Sequence, residues 1–118
     1  MRLKFLLIKQ SKWLVPLEGA TIVRPSGRFD AKVVENMKAD LKSVDPGAVA
    51  LGFAQVTFID SSALGFVVSI FRRTREAKGK LALFGLKPPV MAIFELTRLH
   101  RTFDIYESEV QALAAING

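Results

Sequence analysis

Three small polar residues, Asp60, Ser61 and Ser62, stand in a row and are the residues of this chain best suited to chemistry. An apolar run precedes them, and a helical pattern begins directly after them at Ala63. Carboxylate and hydroxyl side chains are preferred caps for the unpaired N–H groups that open a helix. A serine hydroxyl at such a helix start also faces solvent and is a good phosphate acceptor. The three residues therefore fit either a structural cap or a site of modification.

A serine between a strand and a helix also occurs in α/β hydrolases, but the other residues argue against catalysis. The residues around Ser62 read Asp-Ser-Ser-Ala-Leu rather than Gly-x-Ser-x-Gly, and the single histidine, His100, has no clear acidic residue to orient it. The chain has no cysteine for thiolate ligands and neither glycine-rich phosphate-binding motif. We therefore expect a protein that is not an enzyme and that uses no metal and no cofactor.

The elements that position these residues follow from the spacing of apolar side chains. Residues 12–17 predict an edge strand, because Pro16 cannot donate to a strand ladder, and residues 21–24 predict its hairpin partner. The apolar run 48–58 predicts one buried central strand, and residues 80–85 and 103–106 predict two more. Helices are predicted to begin near Asp30, Asp60, Pro88 and Ser108. This alternation indicates an α/β fold with a mixed four- to five-stranded sheet, an N-terminal antiparallel hairpin and about four helices.

The length of 118 residues fits one domain, which we place at residues 12–118 behind a basic N-terminal arm of residues 1–11. The net charge of +6 is uneven, because residues 1–12 and 72–80 each carry +4 and the remainder carries −2. No stretch is apolar enough for a signal peptide or a membrane span, so we expect a cytoplasmic protein.

The segment from Phe58 to Gly65, which reads Phe-Ile-Asp-Ser-Ser-Ala-Leu-Gly, resembles the STAS domain of bacterial anti-sigma factor antagonists. The resemblance extends to Ser-Gly-Arg-Phe-Asp at 26–30 and Gly-Lys-Leu at 79–81, and it covers residues 12–116. It implies a STAS-like fold. It also implies that Ser62 is phosphorylated by an anti-sigma factor that is itself an ATP-dependent serine kinase, and that a PP2C-type phosphatase reverses this. The dephosphorylated protein would bind the anti-sigma factor and free a sigma factor.

By the same resemblance, five residues are expected at the partner-binding surface: Asp30, Asp60, Ser61, Ser62 and Ala63. Ser61 would cap the helix beside the acceptor, Asp60 would fix the turn, and Asp30 matches a family acidic residue close to the acceptor. Ala63 departs from the family pattern, in which glycine is commonest at this position. Its methyl group would either lie beside the hydroxyl and hinder a kinase or strengthen the first helical turn.

Two other functions are open at this point. The chain could keep the fold without the switch, as a scaffold or regulatory subunit of a larger assembly such as a stressosome or a lipid transporter complex. It could also bind nucleic acid through the arm and the basic residues of segment 72–80. No aromatic residue is interleaved with those charges, however, and cations in the last turns of a helix complement its dipole, so nucleic acid is the weaker alternative.

Overall fold

The computed structural model describes residues 12–17, 19–42 and 44–117, so the basic arm expected over residues 1–11 lies outside the described residues. The strands are β1 (Leu14–Leu17), β2 (Ala20–Val23), β3 (Gly27–Phe29), β4 (Ala48–Gly52), β5 (Val56–Ile59), β6 (Lys80–Phe84) and β7 (Asp104–Tyr106). The helices are α1 (Ala31–Leu41), α2 (Ser61–Glu76), α3 (Pro88–Leu96) and α4 (Glu109–Asn117), with a 3₁₀ turn at Leu99–Arg101.

Five of the strands form one mixed sheet in the order β1-β2-β4-β6-β7. The β1–β2 pair is antiparallel and the other three pairs are parallel. Pro16 lies in edge strand β1, where its missing N–H leaves no gap in the ladder. The predicted α/β class, the mixed sheet and the N-terminal hairpin are confirmed.

The two faces of this sheet carry separate apolar layers. On one face, α1, α2 and α3 pack over the odd-numbered residues of β4, and Phe29, Phe53 and Phe94 are fully buried there. The ring of Phe53 lies 6.1 Å from that of Phe29 and 6.0 Å from that of Phe94, which fixes the centre of the layer. On the other face, α4 packs through Ala112 and Ile116. No helix in the described ranges is both long and apolar enough to cross a membrane.

The prediction of a single central strand over residues 48–58 is wrong. Strand β4 is central and buried as expected, but it ends at Gly52, where an added Cβ would lie 2.6 Å from the Phe84 ring. The chain then turns, with the N–H of Val56 donating to the Phe53 carbonyl at 2.9 Å. Strand β5 therefore leaves the main sheet and pairs with β3, which the sequence did not predict because Ser26-Gly27 resembles a break.

Candidate functional site

Strands β3 and β5 bring two aspartates to the same end of the small sheet. The strands are parallel, with Phe29 opposite Ile59, so the residues that follow, Asp30 and Asp60, emerge side by side. Each aspartate caps the helix after it. Asp30 Oδ1 accepts the N–H of Val33 at 3.2 Å, and Asp60 Oδ1 accepts the N–H of Ala63 at 2.9 Å. The N-termini of α1 and α2 therefore open onto one shared surface.

Asp60 joins the two helix starts directly. Its second carboxylate oxygen, Oδ2, accepts the N–H of Ala31 at 3.2 Å, and its own N–H donates to the Phe29 carbonyl at 3.2 Å. The residue that caps α2 is thus Asp60, and Ser61 is the first residue of the helix. The expectation that Ser61 caps α2 is wrong, because the chain enters the helix one residue earlier than that role requires.

Ser61 and Ser62 occupy the first two positions of α2, and both are exposed. The first N–H groups of a helix have no partner inside it, and Asp60 satisfies the N–H of Ala63 rather than those of the two serines. The Ser62 side chain therefore lies in water beside the positive end of the α2 dipole. This position favours an added negative charge.

Ala63 does not lie on that surface. It is fully buried, and it belongs to the core layer that also holds Val67 and Ile70. Successive helical residues point about 100° apart, so the Ala63 methyl group is directed away from the Ser62 side chain. A fully buried residue offers no surface to a partner, so the prediction of a partner contact at Ala63 is corrected to a packing role.

An exposed cation–π pair, Arg28 and Phe58, borders the same surface, and the sequence did not reveal it. Phe58 in β5 is 39% exposed, and the guanidinium carbon of Arg28 in β3 lies 4.1 Å from its ring centroid. The two residues are opposite each other in the parallel register. Phe58 and Ile59 are successive residues of β5, so their side chains lie on opposite faces of the strand. The sequence did not show this because both residues belong to the apolar run 48–58, which we predicted to be one strand buried on both faces.

The basic segment 72–80 is in part structural. Arg73 donates from Nη1 to the Leu41 carbonyl at 3.0 Å and thereby ties α2 to the end of α1. Arg75 lies over the ring of Phe71, with its guanidinium carbon 5.5 Å from the centroid. These contacts give Arg73 and Arg75 structural roles that do not require nucleic acid.

The residues that would be needed for catalysis or metal binding are not assembled at this surface. His100 lies in the 3₁₀ turn after α3, where its Nδ1 is 3.3 Å from the Phe94 carbonyl oxygen. Within residues 12–17, 19–42 and 44–117, no group of three or more histidine, aspartate or glutamate side chains could hold a metal ion. The surface at Asp60, Ser61 and Ser62 presents two exposed hydroxyl groups in the first turn of α2.

Comparison with known proteins agrees with this geometry. The STAS domain family model matches residues 14–112. An anti-sigma F factor antagonist of Paenibacillus polymyxa is 26% identical over 102 residues, covering 83% of this chain and 87% of that protein. An anti-sigma-B factor antagonist of Listeria monocytogenes is 31% identical over 87 residues, covering 71% of this chain and 76% of that protein.

Two solved structures share the fold. A crystal structure of a putative anti-sigma factor antagonist from Thermotoga maritima has a TM-score of 0.82 at 21% identity, covering 89% of this chain and 93% of that one. The phosphorylated form of the Bacillus cell fate determinant SpoIIAA has a TM-score of 0.68 at 21% identity, covering 87% of this chain and 96% of that one.

Proposed function

Because the chain belongs to the STAS domain family, we propose that it is an anti-sigma factor antagonist switched by phosphorylation of Ser62. In the cytoplasm, the dephosphorylated form binds an anti-sigma factor with serine kinase activity and so frees a sigma factor. Phosphorylation of Ser62 by that kinase dissolves the complex, and a PP2C-type phosphatase restores the binding form. The chain itself is a regulated binding module and not an enzyme.

The observation that carries this proposal is the exposure of Ser62 at the second position of α2, beside the N-terminus of α1. A phosphoserine adds about −1.5 to −2 charges at neutral pH. At a helix N-terminus that charge is stabilised by the dipole and by N–H groups without partners. Phosphorylation can therefore change what the surface binds while the fold stays intact.

The same charge opposes a complex in which Ser62 is covered. In the free protein, water solvates the phosphate, whereas in an interface the phosphate loses that water. An unpaired charge buried in this way costs several kcal/mol, and each ~1.4 kcal/mol weakens binding about tenfold. Two or three tenfold losses of affinity are enough to abolish a complex whose Kd is in the micromolar range. This is the physical basis of the switch.

The partner surface we propose consists of Asp30, Asp60, Ser61 and Ser62, of which the two serines are exposed and the two aspartates half-buried. Ala63 supports this surface from below by packing in the core. The aspartates hold the starts of α1 and α2 in place, so a partner meets a preorganised surface.

A pull-down from native cell extract tests the proposal, with wild type, Ser62→Ala and Ser62→Asp as baits and Ser69→Asp as the matched control, which places the same side chain at an exposed position of α2 outside the proposed surface. We expect an ATP-binding serine kinase with wild type, Ser62→Ala and Ser69→Asp, and its loss with Ser62→Asp. Recovery of the same proteins on all four baits would reject the switch and favour the scaffold or regulatory-subunit function. Loss on Ser69→Asp as well would show that any added negative charge on α2 weakens the contact, which would also reject a switch at Ser62.

A further inference from the structure

An apolar groove lies along the second half of α2, away from Ser62. Its volume is about 380 Å³, and its floor is formed by Val68, Phe71, Leu99 and Phe103. The rings of Phe71 and Phe103 meet edge to face at 5.1 Å, which holds the floor in one shape. Val68, Phe71 and Leu99 are each half-buried, so the groove presents carbon surface to water.

The rim of the groove is cationic. Arg72 and Arg75 line it from α2 and are both exposed, while Glu76 is the one carboxylate among its lining residues. Arginine presents a planar fork of N–H donors that matches a carboxylate, and two of them beside an apolar floor select an anion with a hydrocarbon part. A second groove, of about 360 Å³, is lined by Glu95 and Asp104 and would repel the same ligand.

We propose that the groove of Arg72 and Arg75 binds a single-chain amphiphilic carboxylate. The carboxylate pairs with the two guanidinium groups, and the hydrocarbon chain covers the floor at Val68 and Leu99. The groove is lined by α2, the 3₁₀ turn and the two residues after it, so no described strand offers it an edge. A peptide would bring backbone amides that find no partners there, whereas a hydrocarbon chain has none to satisfy.

This inference does not depend on the proposed function. Arg72 lies about 15 Å further along the axis of α2 than Ser62, at ~1.5 Å per residue, so the groove and the Ser62 surface are separate parts of the molecule. The two surfaces can be tested separately, because the groove can be altered without touching Asp30, Asp60 or the serines.

The test is a titration of the isotope-labelled full chain with decanoate below its aggregation concentration, followed by amide chemical shifts. Decanol and decyltrimethylammonium have the same chain length with no charge and with the opposite charge. We expect decanoate to shift the amides of Val68 and Leu99 and to bind at least tenfold more tightly than decanol. Equal affinity for decanol, or shifts at Met91 and Ile105 in the acidic groove, would overturn the proposal.

Charge-reversal variants give the second arm of the test. Arg72→Glu/Arg75→Glu should weaken decanoate binding at least tenfold, while Lys32→Glu/Lys87→Glu makes the same charge change at two exposed lysines outside the groove and should leave it unchanged. If the first variant does not fold by circular dichroism, Arg72→Gln/Arg75→Gln replaces it with a smaller expected loss. The proposed site would be refuted if a folded Arg72/Arg75 variant bound decanoate as tightly as wild type. It would also be refuted if the Arg72/Arg75 and Lys32/Lys87 variants lost the same amount of decanoate affinity.

Discussion

One carboxylate oxygen of Asp60 accepts the backbone N–H of Ala31 at 3.2 Å, although 29 positions separate the two residues in the chain. The other oxygen caps α2 through the N–H of Ala63. A single side chain thus fixes the starts of two helices relative to each other. Because Ser62 lies two residues after Asp60, the geometry of the proposed phosphorylation site depends on this clamp.

Removal of the clamp should cost more stability than removal of an ordinary cap. Asp60→Ala loses the hydrogen bonds to Ala31 and Ala63, and we expect the free energy of unfolding to fall by about 2–3 kcal/mol. Asp30→Ala, which loses one cap bond to Val33, is the matched control and should lose about 1 kcal/mol. Urea unfolding measures both. Equal losses would show that the bond to Ala31 contributes nothing.

A negative charge at Ser62 should leave the fold intact. Ser62→Asp places the charge in the first turn of α2, so we expect the free energy of unfolding to rise by about 0.3–1 kcal/mol at low salt. Ser69→Asp introduces the same side chain at an exposed position in the middle of α2 and should show no such gain. A loss above about 1 kcal/mol in Ser62→Asp, beyond the ordinary range for surface substitutions, would mean that phosphorylation acts by unfolding the site.

The residue after the proposed acceptor should affect stability rather than phosphorylation. Ala63→Gly introduces glycine, the residue that the family resemblance leads us to expect at this position, but it removes a buried methyl group and a good helix former. We expect a loss of about 1–2 kcal/mol in urea unfolding. The rate at which the partner kinase phosphorylates Ser62 should not change, because the methyl group points into the core. A several-fold faster rate in Ala63→Gly would show that the methyl group does obstruct the kinase.

Two residues just after α2 differ in what the backbone requires of them. Gly79 has no room for a side chain, whereas Lys78 adopts a left-handed conformation that glycine would adopt more easily. The N–H of Gly79 donates to the Thr74 carbonyl at 2.7 Å, and a Cβ on Gly79 would lie 2.4 Å from the Pro46 carbonyl oxygen. Gly79→Ala should therefore lower the melting temperature. Lys78 has a φ of 57°, so Lys78→Gly should relieve about 1 kcal/mol of left-handed strain and raise it. Melting temperatures that change in the same direction in Gly79→Ala and Lys78→Gly would contradict these backbone requirements.

Local chemistry made much of this fold predictable. The helix starts near Asp30 and Asp60 and the edge strand with Pro16 were predictable because they depend on neighbouring residues and on apolar spacing. Non-local pairing was not predictable. The requirement for glycine at position 52 comes from the ring of Phe84, and the stacking of Arg28 on Phe58 requires the pairing of β3 with β5. The predicted capping role of Ser61 failed for the local reason that Asp60 takes it first.

The most direct test of the switch compares the binding affinity of two homogeneous forms of the chain for the kinase identified by pull-down. One form carries serine at position 62 and the other carries phosphoserine there, and isothermal titration calorimetry with the purified kinase measures both. We predict that phosphorylation weakens binding at least 100-fold, which corresponds to ~2.7 kcal/mol. Affinities within about threefold of each other would contradict the claim that Ser62 controls partner binding.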